Sequence, residues 1–341
     1  WALKGYLADL SDIYASEIED GKTLKEKLQP GSANMGLIND KYWIVPWSDG
    51  ATGFVYNANM FEENGWEVPE TVQELYDLLP VIKSAGIAPF AWGGKVISYW
   101  DFIVKGWWAQ YEGADGIEVY KAMEGPQVYS QEGRLKGLEV FEKLIMDRSN
   151  SIEGANGMDH IQSQMAFVQG KAAMIPNGGW LENEMKNSLP EGFVMKMMPL
   201  PAIDGAKDTL INNTMAGDFI IVPEKSANKE LAKEFIKFMS RDDMLELFTK
   251  TCGSVRPFVY DPSGIEGLTE FNKSVIDIWM TSKNIYFFSD NPIYFDRFFD
   301  WPFAGPPYAM ILAEDETAKS AFEGNASYAM QQWENVKKEL E

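Results

Sequence analysis

Between Thr71 and Ile82 the apolar residues Leu75, Leu78, Leu79 and Ile82 recur at the three- and four-residue spacing of one helix face. Thr71-Val72-Gln73-Glu74 marks the start, because a Thr hydroxyl and a Glu carboxylate at this spacing reciprocally satisfy free backbone N–H groups. Pro80 is expected to kink this helix and Gly86 to close it. Leu135, Leu138, Phe141 and Ile145 predict a second amphipathic helix, and Ile161, Met165 and Val168 a third. A fourth carries Leu231, Phe235, Ile236 and Met239 and is capped by Asn228. Short β-prone runs at Trp43–Val45, Phe54–Tyr56, Ile87–Ala91 and Phe219–Val222, the last closed by Pro223, read as strands. The first two flank Ser48-Asp49-Gly50, a turn or a crossover. Strands alternating with helices predict α/β layering with largely parallel sheets. From Ile265 onward the pattern is helical apart from an aromatic loop between Phe298 and Pro307, and no internal repeat or low-complexity linker is seen.

At 341 residues the chain exceeds one ordinary core, so two domains or lobes are expected. No uninterrupted apolar run approaches the roughly 20 residues that cross a bilayer. With 30 Lys+Arg against 51 Asp+Glu the net charge is −21, which repels phosphate backbones and anionic lipids, so no nucleic-acid partner is expected. Cys252 and His160 are the single cysteine and histidine, leaving no intrachain disulfide and no His/Cys metal cluster. Cys252 is expected to be a buried small apolar residue. Trp1-Ala2-Leu3 carries no visible targeting signal. Aromatic residues make up 13% of the chain, 12 of them Trp, beside a strong acidic bias, so these rings must be buried or stacked on something.

Nothing in the spacing selects a pair of catalytic carboxylates from Asp49, Asp101, Glu182, Asp218, Asp296 and Asp300. A histidine-based triad has only His160 to draw on, no Gly-x-Ser-x-Gly elbow precedes a helix, and the glycines form neither a dinucleotide nor a P-loop pattern. What does recur is a strand, a turn of Gly, Asn, Ser or Asp, and an aromatic near a helix start. It appears at Trp47-Ser48-Asp49-Gly50, at Trp92-Gly93-Gly94 with Tyr99-Trp100-Asp101, at Asn177-Gly178-Gly179-Trp180, and at Ala216-Gly217-Asp218-Phe219. Such turns line a crevice beyond the carboxyl ends of strands, and flat rings among amide and carboxylate groups suit a sugar, whose C–H face stacks while its hydroxyls accept and donate hydrogen bonds. Each ring also has a packing reading: Trp180 is a platform or a plug, Trp92 and Trp100 are ligand contacts or core, and Asp101 is a ligand contact or a helix-start charge.

Longer stretches carry a resemblance. Tyr42-Trp43-Ile44-Val45-Pro46 followed by Gly53-Phe54-Val55-Tyr56-Asn57-Ala58-Asn59-Met60-Phe61, then Pro69–Leu75, Phe167-Val168-Gln169-Gly170-Lys171-Ala172-Ala173-Met174 and Asn228–Phe235, run in order from about Tyr42 to Pro257. Together they resemble the family 1 extracellular solute-binding proteins of ABC transporters, in the sugar-binding, maltose-binding-protein-like branch. The resemblance implies an α/β, two-lobed periplasmic-binding-protein-like fold of type II, hinged around a central ligand cleft. Lobe one would hold residues 1–47 and 215–256, lobe two residues 53–214 and 257–341, and residues 48–52 the first hinge crossing. It implies a monomer without catalytic residues, cofactor or metal, whose partners are a sugar or oligosaccharide and the permease subunits of an ABC importer. The setting implied is extracytoplasmic, lipid-anchored at the cell surface or periplasmic.

Trp180 would be the sugar-stacking tryptophan of that family, with Trp47, Ser48 and Asp49 at the hinge crossing. Tyr99 or Trp100 and Gly217-Asp218 would lie in the cleft, with Trp92 and Asp101 beside them. Apart from the resemblance, the aromatic segment Phe298–Tyr308 either folds against its own lobe or presents Trp301 or Phe303 as a second platform facing Trp180. The family pattern also begins with a strand–helix stretch ahead of the segment that Trp1–Leu10 resembles, which this sequence does not contain. The match weakens beyond Asp261. A glycoside-processing enzyme and a binder of a polyamine or peptide are the alternatives.

Overall fold

Ala172–Gly178, an apolar run buried at every position, is an inner strand of a four-stranded sheet. The computed structural model describes residues 1–214, 218–286 and 311–340. Ala88–Phe90 pairs parallel with that inner strand, Thr52–Asn57 pairs antiparallel on its other side, and Met195–Met197 adds antiparallel to the outer edge of Thr52–Asn57. The sheet is therefore mixed rather than largely parallel. Thr52–Asn57 follows directly on the segment that passes between the two cores described below and runs away from it, whereas Ala172–Gly178 runs back toward it, so neighbours in space must be antiparallel.

The helices largely follow the local signals. Val72–Ser84 begins with both capping-box bonds, Glu74 N–H donating to Thr71 Oγ1 at 3.1 Å and Thr71 N–H to the Glu74 carboxylate at 3.1 Å. It runs through Pro80 as one element and buries Leu75, Leu79 and Ile82. Tyr99–Ala122 and Glu132–Met146 pack on each other and cover the sheet. The first bends at Gly113, whose φ of 72° and ψ of 169° lie outside the helical range and in a region that only glycine adopts readily. In His160–Val168 the predicted stripe is displaced: Phe167 and Val168 face inward and Ile161 faces solvent.

Of the clusters of buried apolar side chains among the described residues, two position the site. The larger unites the four-stranded sheet with Leu75, Trp100, Trp107, Phe141 and Phe167, and reaches Phe271, Val275 and Ile311. The smaller gathers Leu10, Tyr14, Leu24 and Val45 with Val222, Ile236, Leu245 and Phe258. In it Val45–Pro46 pairs antiparallel with Phe219–Ile220 alone.

Several expectations change here. Phe219 was expected in a buried strand and is 43% exposed, because a two-stranded edge leaves one face uncovered. Asn228 makes no side-chain cap bond to Lys229–Met239, and of that helix's apolar stripe Ile236 is buried while Leu231 and Phe235 are 70% and 55% exposed. Cys252 is exposed at the last position of Asp242–Cys252, past the end of a buried stripe formed by Leu245 and Thr249. The C-terminal region is not all helix: between Glu270–Thr281 and Ala318–Leu340 a strand, Lys283–Ile285, pairs parallel with Ile211–Asn213. The aromatic segment around Phe298–Pro307 lies outside the described residues. No helix among the described residues is long and apolar enough to cross a membrane.

Candidate ligand-binding site

Ala88–Phe90 and Ala172–Gly178 run toward the same edge of the sheet, Phe90 ending opposite Met174 and the longer strand going on to Gly178, where Thr52 opposite begins the returning strand. The Trp92-Gly93-Gly94 and Gly178-Gly179-Trp180 turns leave from this edge. Both glycines of the second turn are required by close approach. A Cβ on Gly179 would stand 2.9 Å from Val275 Cγ1, and one on Gly178 would collide with the six-membered ring of Trp180, 2.1 Å from Cζ3. The indole is thus folded back over the end of its own strand and remains half-buried.

Two residues from the first turn of Tyr99–Ala122 meet it edge to face, Tyr99 at 6.5 Å and Phe102 at 5.7 Å between ring centroids. Tyr99 in turn lies nearly parallel to the imidazole of His160, at 6.4 Å. Burial raises the Tyr99 pKa above its usual value, the Glu184 carboxylate adds to the rise, and Trp180 opposes it. Glu184 accepts a hydrogen bond from the Gln164 side-chain amide at 2.7 Å, and the other end of that amide, Oε1, is buried without a donor among the described residues.

A second group forms where residues 47–49 leave the smaller core. Trp47 N–H donates to the Asp218 carbonyl at 2.8 Å, and Ser48 Oγ donates to the Asp218 carboxylate at 2.8 Å. The Arg256 guanidinium lies 3.7 Å from the Trp47 ring centroid and donates through Nε to the Trp47 carbonyl at 2.9 Å. Arg256 is buried without a carboxylate in contact among the described residues, and this burial lowers its pKa to about 10. The sheet-edge group is tied to the chain on either side of it: Gly179 N–H donates to the Ala51 carbonyl at 3.1 Å, and the Asn213 side-chain amide to the Phe102 carbonyl at 3.0 Å. Among the described residues no cluster of His, Cys, Asp and Glu is arranged to hold a metal ion.

Half-buried rings stand at the carboxyl edge of this α/β sheet, beside the segments that connect two cores, and the sequence profile described as "Bacterial extracellular solute-binding protein" matches residues 1–245. The chain belongs to that family. This is a family of binders, not of enzymes. Relatives of this solute-binding protein include the diacetylchitobiose binding protein of Streptomyces coelicolor, 28% identical over 256 residues that cover 72% of this chain and 52% of the relative. The multiple sugar-binding protein of Streptococcus mutans is 24% identical over 286 residues, 80% of this chain and 61% of the relative. The chain thus spans between half and two thirds of the length of these curated relatives. Among solved structures, a chitin oligosaccharide binding protein superposes with a TM-score of 0.77 at 18% identity, covering 100% of this chain and 81% of that one. RafE in complex with raffinose superposes with a TM-score of 0.67 at 18% identity, covering 97% and 81%. The fold is accordingly the two-lobed α/β periplasmic-binding-protein-like type.

Within this solute-binding fold the predicted site residues separate. Trp180 and Tyr99 meet at the sheet edge, and Trp47, Ser48 and Asp218 meet at the crossing. Trp100 does not join them: it is 0% exposed, edge to face with Phe54, Phe90 and Phe141. Helix phase is the reason, since Tyr99 and Phe102 are three residues apart on one face while Trp100, Ile103, Val104 and Trp107 share the face turned to the sheet. Trp92 is also in the core, its indole N–H donating to Ser151 Oγ at 2.8 Å. Asp101 is buried in an ion pair with Lys105 one turn along the helix. Asp49 is buried among protein donors. Gly217 and Trp301 lie outside the described residues.

Phe102, His160 and Arg256 are the site-edge residues that sequence reasoning passed over. The three-residue spacing from Tyr99 was a readable signal for Phe102. Nothing local points to His160 or Arg256, which arrive from distant segments.

Proposed function

We propose that this chain is the ligand-gripping part of an extracytoplasmic protein that captures a sugar or oligosaccharide and delivers it to an ABC importer. The observation that carries the reading is the Trp180 ring, half-buried against Gly178 and framed by Tyr99, Phe102 and His160, because such a wall matches the C–H face of a pyranose. The family match and the sugar ligands named for the relatives from Streptomyces coelicolor and Streptococcus mutans support it. Lobe one would comprise residues 1–47 and 215–256. It would extend through Tyr260, since Gln29 N–H donates to the Pro257 carbonyl at 2.9 Å and Val259 N–H to the Lys27 carbonyl at 2.7 Å. Lobe two would hold residues 53–214 and the C-terminal helices, with residues 48–52 as the first crossing. Trp180 and Tyr99 would grip from lobe two, and Trp47, Ser48 and Asp218 from the crossing. Trp301 is retained as a candidate second platform. A ligand touching both sides stabilises the closed state by its differential affinity, and permease subunits read that state.

The test is a tryptophan-fluorescence titration against chitin oligosaccharides, raffinose, xylo-oligosaccharides and spermidine, with small-angle scattering at saturation. A saturating shift with one sugar class, a smaller radius of gyration and unchanged recovered ligand are expected. A shift with spermidine and with no sugar overturns the sugar reading, and release of monosaccharide by the pure protein overturns the assignment as a binder.

A further inference from the structure

The Asp49 carboxylate is buried and holds four groups at once. Gly50 N–H donates to Oδ1 at 2.8 Å and the Thr214 hydroxyl bonds the same oxygen; Trp279 Nε1–H donates to Oδ2 at 3.0 Å and the Tyr286 hydroxyl at 2.6 Å. Its backbone adds two more ties, Asp49 N–H donating to the Val255 carbonyl at 3.1 Å and Ser254 Oγ to the Asp49 carbonyl at 3.1 Å. These partners come from four separate stretches. Asp49-Gly50 leads from Val45 in the smaller core to Phe54 in the larger, Thr214 stands on the return toward Val222, and Ser254-Val255 lies between Leu245 and Phe258, within the stretch that belongs to the smaller core. Trp279 and Tyr286 bracket the strand Lys283–Ile285 that pairs with Ile211–Asn213. The Asp49 side chain therefore joins the first two passages between these cores to the Trp279–Tyr286 stretch, and its backbone ties the first passage to Ser254-Val255 of the smaller core.

The chemistry of the knot calls for a carboxylate. Indole and backbone N–H groups can only donate, and an ionised carboxylate offers acceptor sites on both oxygens. An amide in its place would turn an N–H₂ group toward donors. No Lys or Arg pairs with Asp49 among the described ion pairs, so its desolvation is offset by these hydrogen bonds alone. A group so costly to bury, placed where the first two crossings meet the Trp279–Tyr286 stretch, acts on the relation between the lobes.

We propose that Asp49 is the pivot pin of the hinge, a positioning residue that sets the resting angle between the lobes and so the width of the cleft, and that it does not touch the ligand. This rests on the hinge-closure reading above. Spin labels at Asp20→Cys and Glu191→Cys, in a Cys252→Ser background, report the interlobe distance by pulsed electron resonance. Without ligand, the unsubstituted hinge should give one narrow distance distribution, and Asp49→Asn a clearly broader one. If Asp49→Asn does not fold, Tyr286→Phe, which removes one donor and leaves the ring in place, is expected to broaden the distribution less. Broadening in either variant supports the pin. A distribution as narrow as that of the parent in the folded variants, even with a lowered melting temperature, overturns it and leaves Asp49 a packing residue. The ligand arm is separate: adding chitin oligosaccharide or raffinose to the parent shortens the distance if the closure reading holds. Failure of that arm alone leaves the ligand-free comparison intact.

Discussion

A Cβ built on Gly178 would stand 2.1 Å from Cζ3 of Trp180 and 2.2 Å from Cη2. The glycine is therefore the seat of the indole, and the ring keeps its place only while that seat is empty. Gly178→Ala adds a methyl that the strand backbone accepts readily but the indole does not. The ring should be displaced and sugar affinity fall by about 1–3 kcal/mol, the range for losing a stacked ring, read by calorimetric titration. Unaltered affinity would show that the observed ring position is not the binding one.

Trp180→Ala removes the platform itself. The ring is half-buried and touches Tyr99 and Phe102 only edge-on, so the melting temperature of the free protein should change little while affinity falls by roughly 1–3 kcal/mol. A large drop in thermal stability with affinity unchanged would make Trp180 a plug.

The opposite outcome is expected at Trp100. Its ring is fully buried among Phe54, Phe90 and Phe141, and Trp100→Ala should cost about 3–5 kcal/mol of stability through the cavity it leaves, measured by urea unfolding. At temperatures where this variant is folded, sugar affinity should stay close to that of the parent. A loss of affinity equal to that of Trp180→Ala would return Trp100 to the cleft.

Asp49 supplies a pH signature. Burial raises its pKa above the ordinary 3.8, and the bonds from Thr214, Tyr286, Trp279 and Gly50 restrain the rise. A folded carboxyl that keeps its proton to higher pH than the unfolded one contributes stability below the unfolded value, and that contribution is lost as pH rises through the folded one. From the ordinary carboxylate value upward, until the folded carboxyl has lost its proton, the parent should therefore lose stability with rising pH relative to Asp49→Asn, whose side chain does not titrate. Taking the difference between the two proteins cancels carboxylates shifted the other way, such as Asp147 beside Lys83 and Asp208 beside Lys283. A difference that is flat with pH would contradict the raised pKa.

Local chemistry accounts for what was legible in advance. A capping box acts over four residues, so the start of Val72–Ser84 was readable at Thr71, and β-prone runs bounded by turn residues marked strands within Thr52–Asn57 and at Ala88–Phe90. The glycine pair before Trp180 was visible as a turn with a ring on it, and longer stretches of this kind carried the family. Which way each ring faces was another matter. Tyr99 and Trp100 are adjacent and chemically alike, yet one lines the sheet edge and the other fills the core, because the direction of a helical side chain is decided by where the helix lies on the sheet. The sense of strand pairing, the exposure of Phe235 and the approach of Arg256 to Trp47 likewise depend on partners far along the chain. Asp49 shows the limit most plainly. In the sequence it is one acidic residue among 51 Asp+Glu on a polar turn; it becomes a buried knot only because Thr214, Val255, Trp279 and Tyr286 are brought around it, and no local pattern encodes a contact made across more than 160 residues.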